Sequence, residues 1–340
     1  MFLASFRYEG RDRVGLRRPD GNLADLADAI QAMGDDWTGG PAPETTLALV
    51  QNAAALEGPL RDLAAHLDGL DIGIIPANAV EWHPPIRRPG KVVGVAMNNS
   101  ASDDRKLSAP KHPMFFLKAS SSLLGHQQDI EVRSYYGGMH PEPELAVIVG
   151  RTARDLKPET ALDYVFGYTI MNDLTGNVMR GEDMVHYYAL YASADDPTRL
   201  EKREQHLSYA ARYKGTDGFG PMGPWLATRD EVPDPSDLDV TCSVGGHVIA
   251  QDSTRYLTYG VAEILSFLSR FQTLEAGDII SMGTAFRAVP GVNRSIHTAD
   301  LQRVDGPVEV SITRLGTLSN GVHRVAVELG DWRLSANAEA

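Results

Sequence analysis

The segment His140-Pro141-Glu142-Pro143-Glu144 runs directly into Leu145-Ala146-Val147-Ile148-Val149, and this junction constrains the chain more than any other. Two prolines hold the acidic part extended. Side chains of an extended chain alternate, so Glu142 and Glu144 project to one side, and His140 joins them. The continuous apolar run that follows fits a strand buried on both faces. Two carboxylates this close repel each other unless a cation lies between them, and hard divalent ions favour such oxygen ligands. Asp173, at the end of the strand-like Tyr168–Met171, is a candidate third carboxylate. A solvated acidic edge strand is the alternative, since Glu-x-Glu is common on such edges. The adjoining apolar run weighs against it, because buried charges need partners.

Composition excludes whole classes of partner. The 340 residues carry 45 acidic against 32 basic side chains, a formal charge of −13, so the chain repels phosphate backbones and nucleic-acid binding is not expected. The single cysteine, Cys242, rules out an intrachain disulfide and a cysteine zinc site, and it fits a reduced, cytoplasmic setting. No apolar run reaches the ~18 residues of a membrane span, and Met1–Arg7 lacks the features of a signal peptide. The sequons at Asn98 and Asn293 carry no meaning in a cytosolic chain.

Along the chain, residues 1–83 read as a small α/β domain: a strand at Phe2–Tyr8, then helices, the first capped by Asn22. The proline-rich stretch 82–90 marks a boundary, and 84–340 read as a larger, mostly β domain. Strands are expected at Val92–Met97, Met114–Leu117, Val240–Val244, Ile279–Met282 and Gly306–Arg314. A short helix is expected at Pro158–Val165, an amphipathic helix at Thr258–Phe271, and helical character at Thr198–Arg212. Gly218-Phe219-Gly220-Pro221-Met222-Gly223 matches a dinucleotide-binding pattern by letter, yet Pro221 and Pro224 deny it the helix that such a site needs. No organic cofactor is expected. His112, His126, His206 and His297 show no metal-type spacing.

Several landmarks occur in order: Arg88-Pro89-Gly90-Lys91, Met97-Asn98, Phe116-Leu117-Lys118, Glu142-Pro143-Glu144-Leu145-Ala146-Val147-Ile148-Val149-Gly150 and Asn172-Asp173. They continue with Lys214, Gly220-Pro221-Met222-Gly223-Pro224-Trp225, Leu274-Glu275-Ala276-Gly277-Asp278 and Gly283-Thr284. As an ordered set they resemble the fumarylacetoacetate hydrolase superfamily over roughly residues 84–322. The resemblance implies an α+β fold, a β-rich mixed-sheet roll preceded by a small N-terminal α/β domain, and a homodimer. It implies a divalent metal, Mg²⁺ first with Mn²⁺ or Ca²⁺ as alternatives, held by Glu142, Glu144 and Asp173. Lys214 and Thr284 take catalytic roles, and Asn98, Lys118, Ser102, Arg180 and Gly283 are candidates for holding the substrate. That substrate would be a small 2-oxo acid or 1,3-dicarbonyl acid processed through a metal-bound enolate.

One departure changes the expected chemistry. Hydrolytic members follow the early Asn with Tyr-x-x-His-x-x-Glu, whose His–Glu pair activates water. Here Ser102 stands in place of His and Arg105 in place of Glu. Asp103 or Asp104 could substitute, but an exposed Asp is a weak base at neutral pH. Similarity around Phe116-Leu117-Lys118-Ala119-Ser120 and Pro141–Ala146 to the 2-oxo-3-deoxy sugar-acid dehydratases points the same way. A lyase-like reaction (dehydration, decarboxylation or isomerisation) is therefore expected over C–C hydrolysis of the acylpyruvate type, the alternative. A relative that only binds metal and ligand is the second alternative. The stretch from Asp173 to Lys214 is long, and its Arg180, Glu182, Asp183, His186 and Tyr187 are candidates for a lid or a replacement acid/base; an exposed insertion or dimer contact is the competing reading.

Overall fold

The apolar run beside the paired glutamates forms the strand Pro143–Val149, and every residue in it is buried. Leu145, Val147 and Val149 face one core, and Ala146 and Ile148 face another. That double burial is why the run has no polar alternation. The strand pairs antiparallel with Val165–Asn172 on one side and with Ile279–Ser281 on the other. Together they form the middle of an eleven-stranded mixed sheet in a computed structural model that describes residues 1–287 and 295–327. Asn293 and residues 328–340 lie outside the described residues.

The sheet extends from Val165–Asn172 through Gly220–Thr228, Phe2–Tyr8 and Arg11–Arg17 to Leu23–Asp25. In the other direction Ile279–Ser281 pairs in parallel with Val92–Ala96, which pairs antiparallel with Met114–Lys118. A second, antiparallel sheet orders His247–Ser253, Asp239–Val244, Val308–Ile312 and Gly316–Asn320. Its Val240, Cys242, Val308 and Val310 share one core with the helix Val261–Phe271 and with Leu145 and Val147. On the opposite face of the large sheet, Leu26, Leu49, Leu56, Leu60 and Leu63 of the N-terminal helices cover Ala146, Ile148 and Met171. The fold is thus a sheet-rich α+β arrangement of helices, large sheet, and small sheet with its helix. The expected boundary at 83/84 falls within one continuous sheet, because Phe2–Tyr8 pairs with Gly220–Thr228. Residues 82–86 of the proline-rich stretch are buried. Among the described residues no helix is long and apolar enough to cross a membrane.

Two local expectations are corrected. The first helix is capped by Asp25, not Asn22: Asp25 Oδ1 accepts from the N–H groups of Ala27 (2.8 Å) and Asp28 (3.1 Å), while Leu23–Asp25 is a strand. Thr198–Arg212 is not helical; Leu200–Ser208 pairs antiparallel with Met184–Ala192 in a two-stranded ribbon, and a one-turn helix, Ala211–Gly215, follows. Gly220–Thr228 is a buried strand, which removes the helix a dinucleotide site would need. Cys242 lies buried in Asp239–Val244, where burial raises its thiol pKa and keeps it an inert packing group.

The glycine turn before Ile279–Ser281 depends on Asp278, which is fully buried. Its carboxylate accepts from the N–H groups of Lys91 and Glu275, both at 2.8 Å, and pairs with Lys91 Nζ at 2.8 Å. Asp278→Ala would leave two partly buried backbone donors without their acceptor and Lys91 with only Glu275, 3.7 Å away. A loss of about 2–4 kcal/mol in denaturant unfolding is expected.

Candidate active site

The register of the central strands builds the site. Pro143 pairs with Asn172, which sets Glu142 and Glu144 beside Asp173. Two further bonds lock this: Asp173 N–H donates to Glu142 O at 2.8 Å, and Glu142 N–H donates to Asn172 Oδ1 at 2.9 Å. Glu142, Glu144 and Asp173 each offer an oxygen, and these lie within 4.8 Å of one another. Glu144 and Asp173 are buried, and Glu142 is nearly so.

Two lysines enter the same cluster. Lys214, on the one-turn helix, donates to Glu142 Oε2 at 2.7 Å and to Asp173 Oδ2 at 2.6 Å. Lys118, at the end of its strand, donates to Asp173 Oδ1 at 2.7 Å and also to the carbonyls of Lys214 and Phe219. Burial alone would lower the Lys214 pKa, but Asp173, Glu142 and Glu144 raise it overall, so it stands as a cation rather than a base. Lys214 is thus buried among carboxylates, where most lysines are exposed. Lys118 is the reverse case: burial outweighs Asp173 and lowers its pKa.

The two glutamates are electrostatically unlike. Burial raises both, but at Glu142 the Lys214 ammonium and the His140 hydrogen bond prevail and hold it well below the usual range. At Glu144 burial and Asp173 win, and its pKa is pushed up to about 8. The hydrogen bonds agree. Glu144 Oε2 accepts from Ser281 Oγ (2.5 Å) and Gly283 N–H (2.9 Å). Thr284 Oγ1 lies 2.9 Å from Glu142 Oε2 and 3.0 Å from Glu144 Oε1. One hydroxyl proton serves only one of the two, so a proton on Glu144 Oε1 completes the chain toward Glu142.

The other expected residues divide. Gly283 has φ 102°, and a Cβ there would approach Asn98 Cβ to 2.8 Å, so the loop that aims its N–H at Glu144 requires glycine. Asn98 spends its carboxamide on the backbone of Tyr259 and Met282. Ser102 is fully buried and donates to Asn99 O at 2.6 Å. Asp103 is exposed and pairs with Lys106. In the long insertion, Glu182 and Asp183 pair with Arg212, while His186 stacks on His206 and pairs with Glu204 in the ribbon. Arg180 lies on the helix Asn177–Glu182, near enough to act electrostatically on His297. His140 joins the glutamates as its spacing implies, its Nε2 bonding Glu142 Oε1 at 3.1 Å, and spacing hid one neighbour, His297, whose ring packs against His140 with centroids 4.9 Å apart.

Three hard oxygen donors converging in a buried site are a set that could hold a divalent ion. The "Fumarylacetoacetate (FAA) hydrolase C-terminal" profile matches residues 91–323, and the chain belongs to that family. It is 32% identical over 283 residues to a protein of Burkholderia multivorans described provisionally as a hydrolase, an alignment covering 76% of this chain and 90% of that one. Among solved structures, a fumarylacetoacetate hydrolase of Exiguobacterium antarcticum superposes with a TM-score of 0.68 at 27% identity, over 96% of this chain and 100% of that one. A maleylpyruvate hydrolase of Sphingobium sp. SYK-6, solved with manganese(II) and pyruvate, superposes with a TM-score of 0.67 at 25% identity, over 95% and 99%. The chain is an enzyme of this superfamily, which sets aside the binding-only alternative.

Proposed function

We propose that the chain is a divalent-metal enzyme that forms and protonates an enolate of a small 2-oxo or 1,3-dicarbonyl acid. One observation carries this: Glu142, Glu144 and Asp173 meet around the Lys214 ammonium in a buried cluster. The donor set fits Mg²⁺ or Mn²⁺, which favour carboxylate oxygens, and the manganese and pyruvate of the Sphingobium relative support the same reading. When bound, the metal supplies Lewis-acid stabilisation of negative charge developing on the 2-oxo oxygen.

The chain's own residues supply the rest. The Lys214 cation holds the substrate carboxylate or the developing oxyanion. Thr284 links Glu142 to Glu144 and fixes both carboxyl planes. Lys118, behind Asp173, holds that carboxylate in place rather than touching substrate. A lyase or isomerase outcome is favoured over C–C hydrolysis, because Ser102 is sealed against Asn99 O and Arg105 replaces the carboxylate that would serve a water-activating base. Hydrolysis is the second reading, supported by the two hydrolase structures that match 95% and 96% of the chain. A homodimer in the cytoplasm completes the proposal.

The test uses the full chain with Mg²⁺ or Mn²⁺. Loss of the C3 hydrogens of pyruvate to D₂O, followed by NMR, reports enolate formation; oxaloacetate decarboxylation and acylpyruvate cleavage, followed by ultraviolet absorbance, separate the outcomes. Metal-dependent exchange with decarboxylation is expected. Acylpyruvate cleavage alone would favour hydrolysis, and no turnover of any of the three would overturn the proposal.

A further inference from the structure

The Ser102–Arg105 segment leaves the site without the base that a hydrolytic member would carry there, yet an imidazole from a distant segment reaches the same place. His297 lies in the turn Ile296–Thr298. That turn is pinned to the site: Leu301 N–H donates to Met139 O at 2.9 Å, and Met139 N–H donates to Asp300 Oδ1 at 3.2 Å. The ring meets His140 edge-on, at 66°.

The two imidazoles are not equivalent. His140 is buried and committed at both nitrogens, with Asn177 Nδ2 donating to Nδ1 at 2.6 Å and Nε2 donating to Glu142 at 3.1 Å. Both contacts fix the ring and make it a positioning residue for Glu142. His297 is solvent-accessible, and its Nε2 faces Arg105 Nη1 at 3.4 Å. A guanidinium can only donate, so the nitrogen it faces carries the lone pair. Arg105, in the position of the missing Glu, is itself held over Phe286, 4.6 Å from the ring centroid.

We propose that His297 is the acid/base of the reaction, replacing from the 295–301 segment the base missing at Ser102. This rests on the preceding reading that substrate sits against Glu142, Glu144 and Asp173. His297 takes a proton from C3 of the 2-oxo acid. The C–H electron pair becomes the C2–C3 double bond, and the carbonyl π pair moves to the 2-oxo oxygen. The imidazolium then returns the proton to carbon as the enolate collapses. The groups facing the ring are His140, Arg105, Arg180 and Glu142; partial burial, His140 and Arg105 lower its pKa, with Glu142 opposing, which leaves it neutral near pH 7 and able to accept a proton.

The test is His297→Gln in the full chain with Mn²⁺. Pyruvate C3 exchange is expected to fall by on the order of 10²-fold or more in kcat. Calorimetric affinities for Mn²⁺ and for oxalate should stay within about twofold, and the acid limb of the kcat profile, measured with Mn²⁺ saturating at each pH, should disappear. Added imidazole should partly restore exchange in His297→Gly. Independently of activity, diethyl pyrocarbonate should label His297, read by peptide mass spectrometry, and Mn²⁺ with oxalate should block it. Unchanged kcat and pH profile in His297→Gln would overturn the proposal, as would loss of its Mn²⁺ binding, which would assign the ring to structure. If the wild-type chain bound neither Mn²⁺ nor oxalate, the preceding reading would fail as well.

Discussion

Asp173→Asn is expected to abolish tight Mn²⁺ binding and to lower turnover by on the order of 10³-fold. Asp173 is the carboxylate that both lysines reach: Oδ1 accepts from Lys118, Oδ2 accepts from Lys214, and its N–H donates to Glu142 O. An amide keeps the shape but removes the charge. One of its two terminal positions becomes an NH₂ group facing an ammonium, donor against donor. A metal there would lose one of three anionic ligands and meet two lysines with less negative charge to offset them. Lewis-acid stabilisation is worth several kcal/mol, which corresponds to the stated loss in rate. The metal-free variant should also be less stable by about 3 kcal/mol, because the buried Lys118 ammonium loses its counter-charge. Titration calorimetry with Mn²⁺ and denaturant unfolding check the two halves separately. Wild-type Mn²⁺ affinity in the variant would remove Asp173 from the ligand set.

Most of this cluster was legible in the chain because its determinants are local. Glu142 and Glu144 share a side through strand alternation, and the apolar run beyond them announces burial. Asp173 was legible as the polar end of an apolar strand. The lysines were legible only through the ordered resemblance: a lysine is normally exposed, and nothing near Lys118 or Lys214 signals by itself that carboxyl groups far away in sequence will pair with them. Alternation showed His140 beside the glutamates but not His297, since the contact of the two rings joins segments more than 150 residues apart. The ribbon of Met184–Ala192 and Leu200–Ser208 was misread because most of its residues are exposed on both faces. Such a pair lacks the apolar alternation that marks a half-buried strand, although the Tyr187-Tyr188 and Leu190-Tyr191 pairs favour extended backbone. Asp25 displaced Asn22 as a helix cap because Leu23 is taken up by pairing with Arg17.

Mn²⁺ affinity is expected to rise about tenfold per pH unit from pH 6 toward pH 8 and then level off. The cause is a proton on Glu144, whose pKa burial and Asp173 push up to about 8. A carboxyl group must lose that proton to bind a metal, so below pH 8 uptake releases close to one proton and apparent affinity falls with the ionised fraction. Glu142 does not add to this slope, since Lys214 and His140 keep it ionised throughout the window. The same proton fixes the sign for the metal-free fold. Between the ordinary Glu pKa of 4.5 and about 8, the folded chain holds a proton on Glu144 that the unfolded chain has lost. Stability from this group is therefore full below 4.5 and declines as pH rises toward 8. Saturating metal removes the proton from the folded state and should flatten that decline. Glu144→Gln imitates the protonated form: it should bind Mn²⁺ weakly with little pH dependence, and its metal-free stability should lose the same slope. Calorimetry in two buffers of different ionisation enthalpy counts the released proton directly, and a count near zero at pH 6.5 would show that Glu144 is already ionised before the metal arrives.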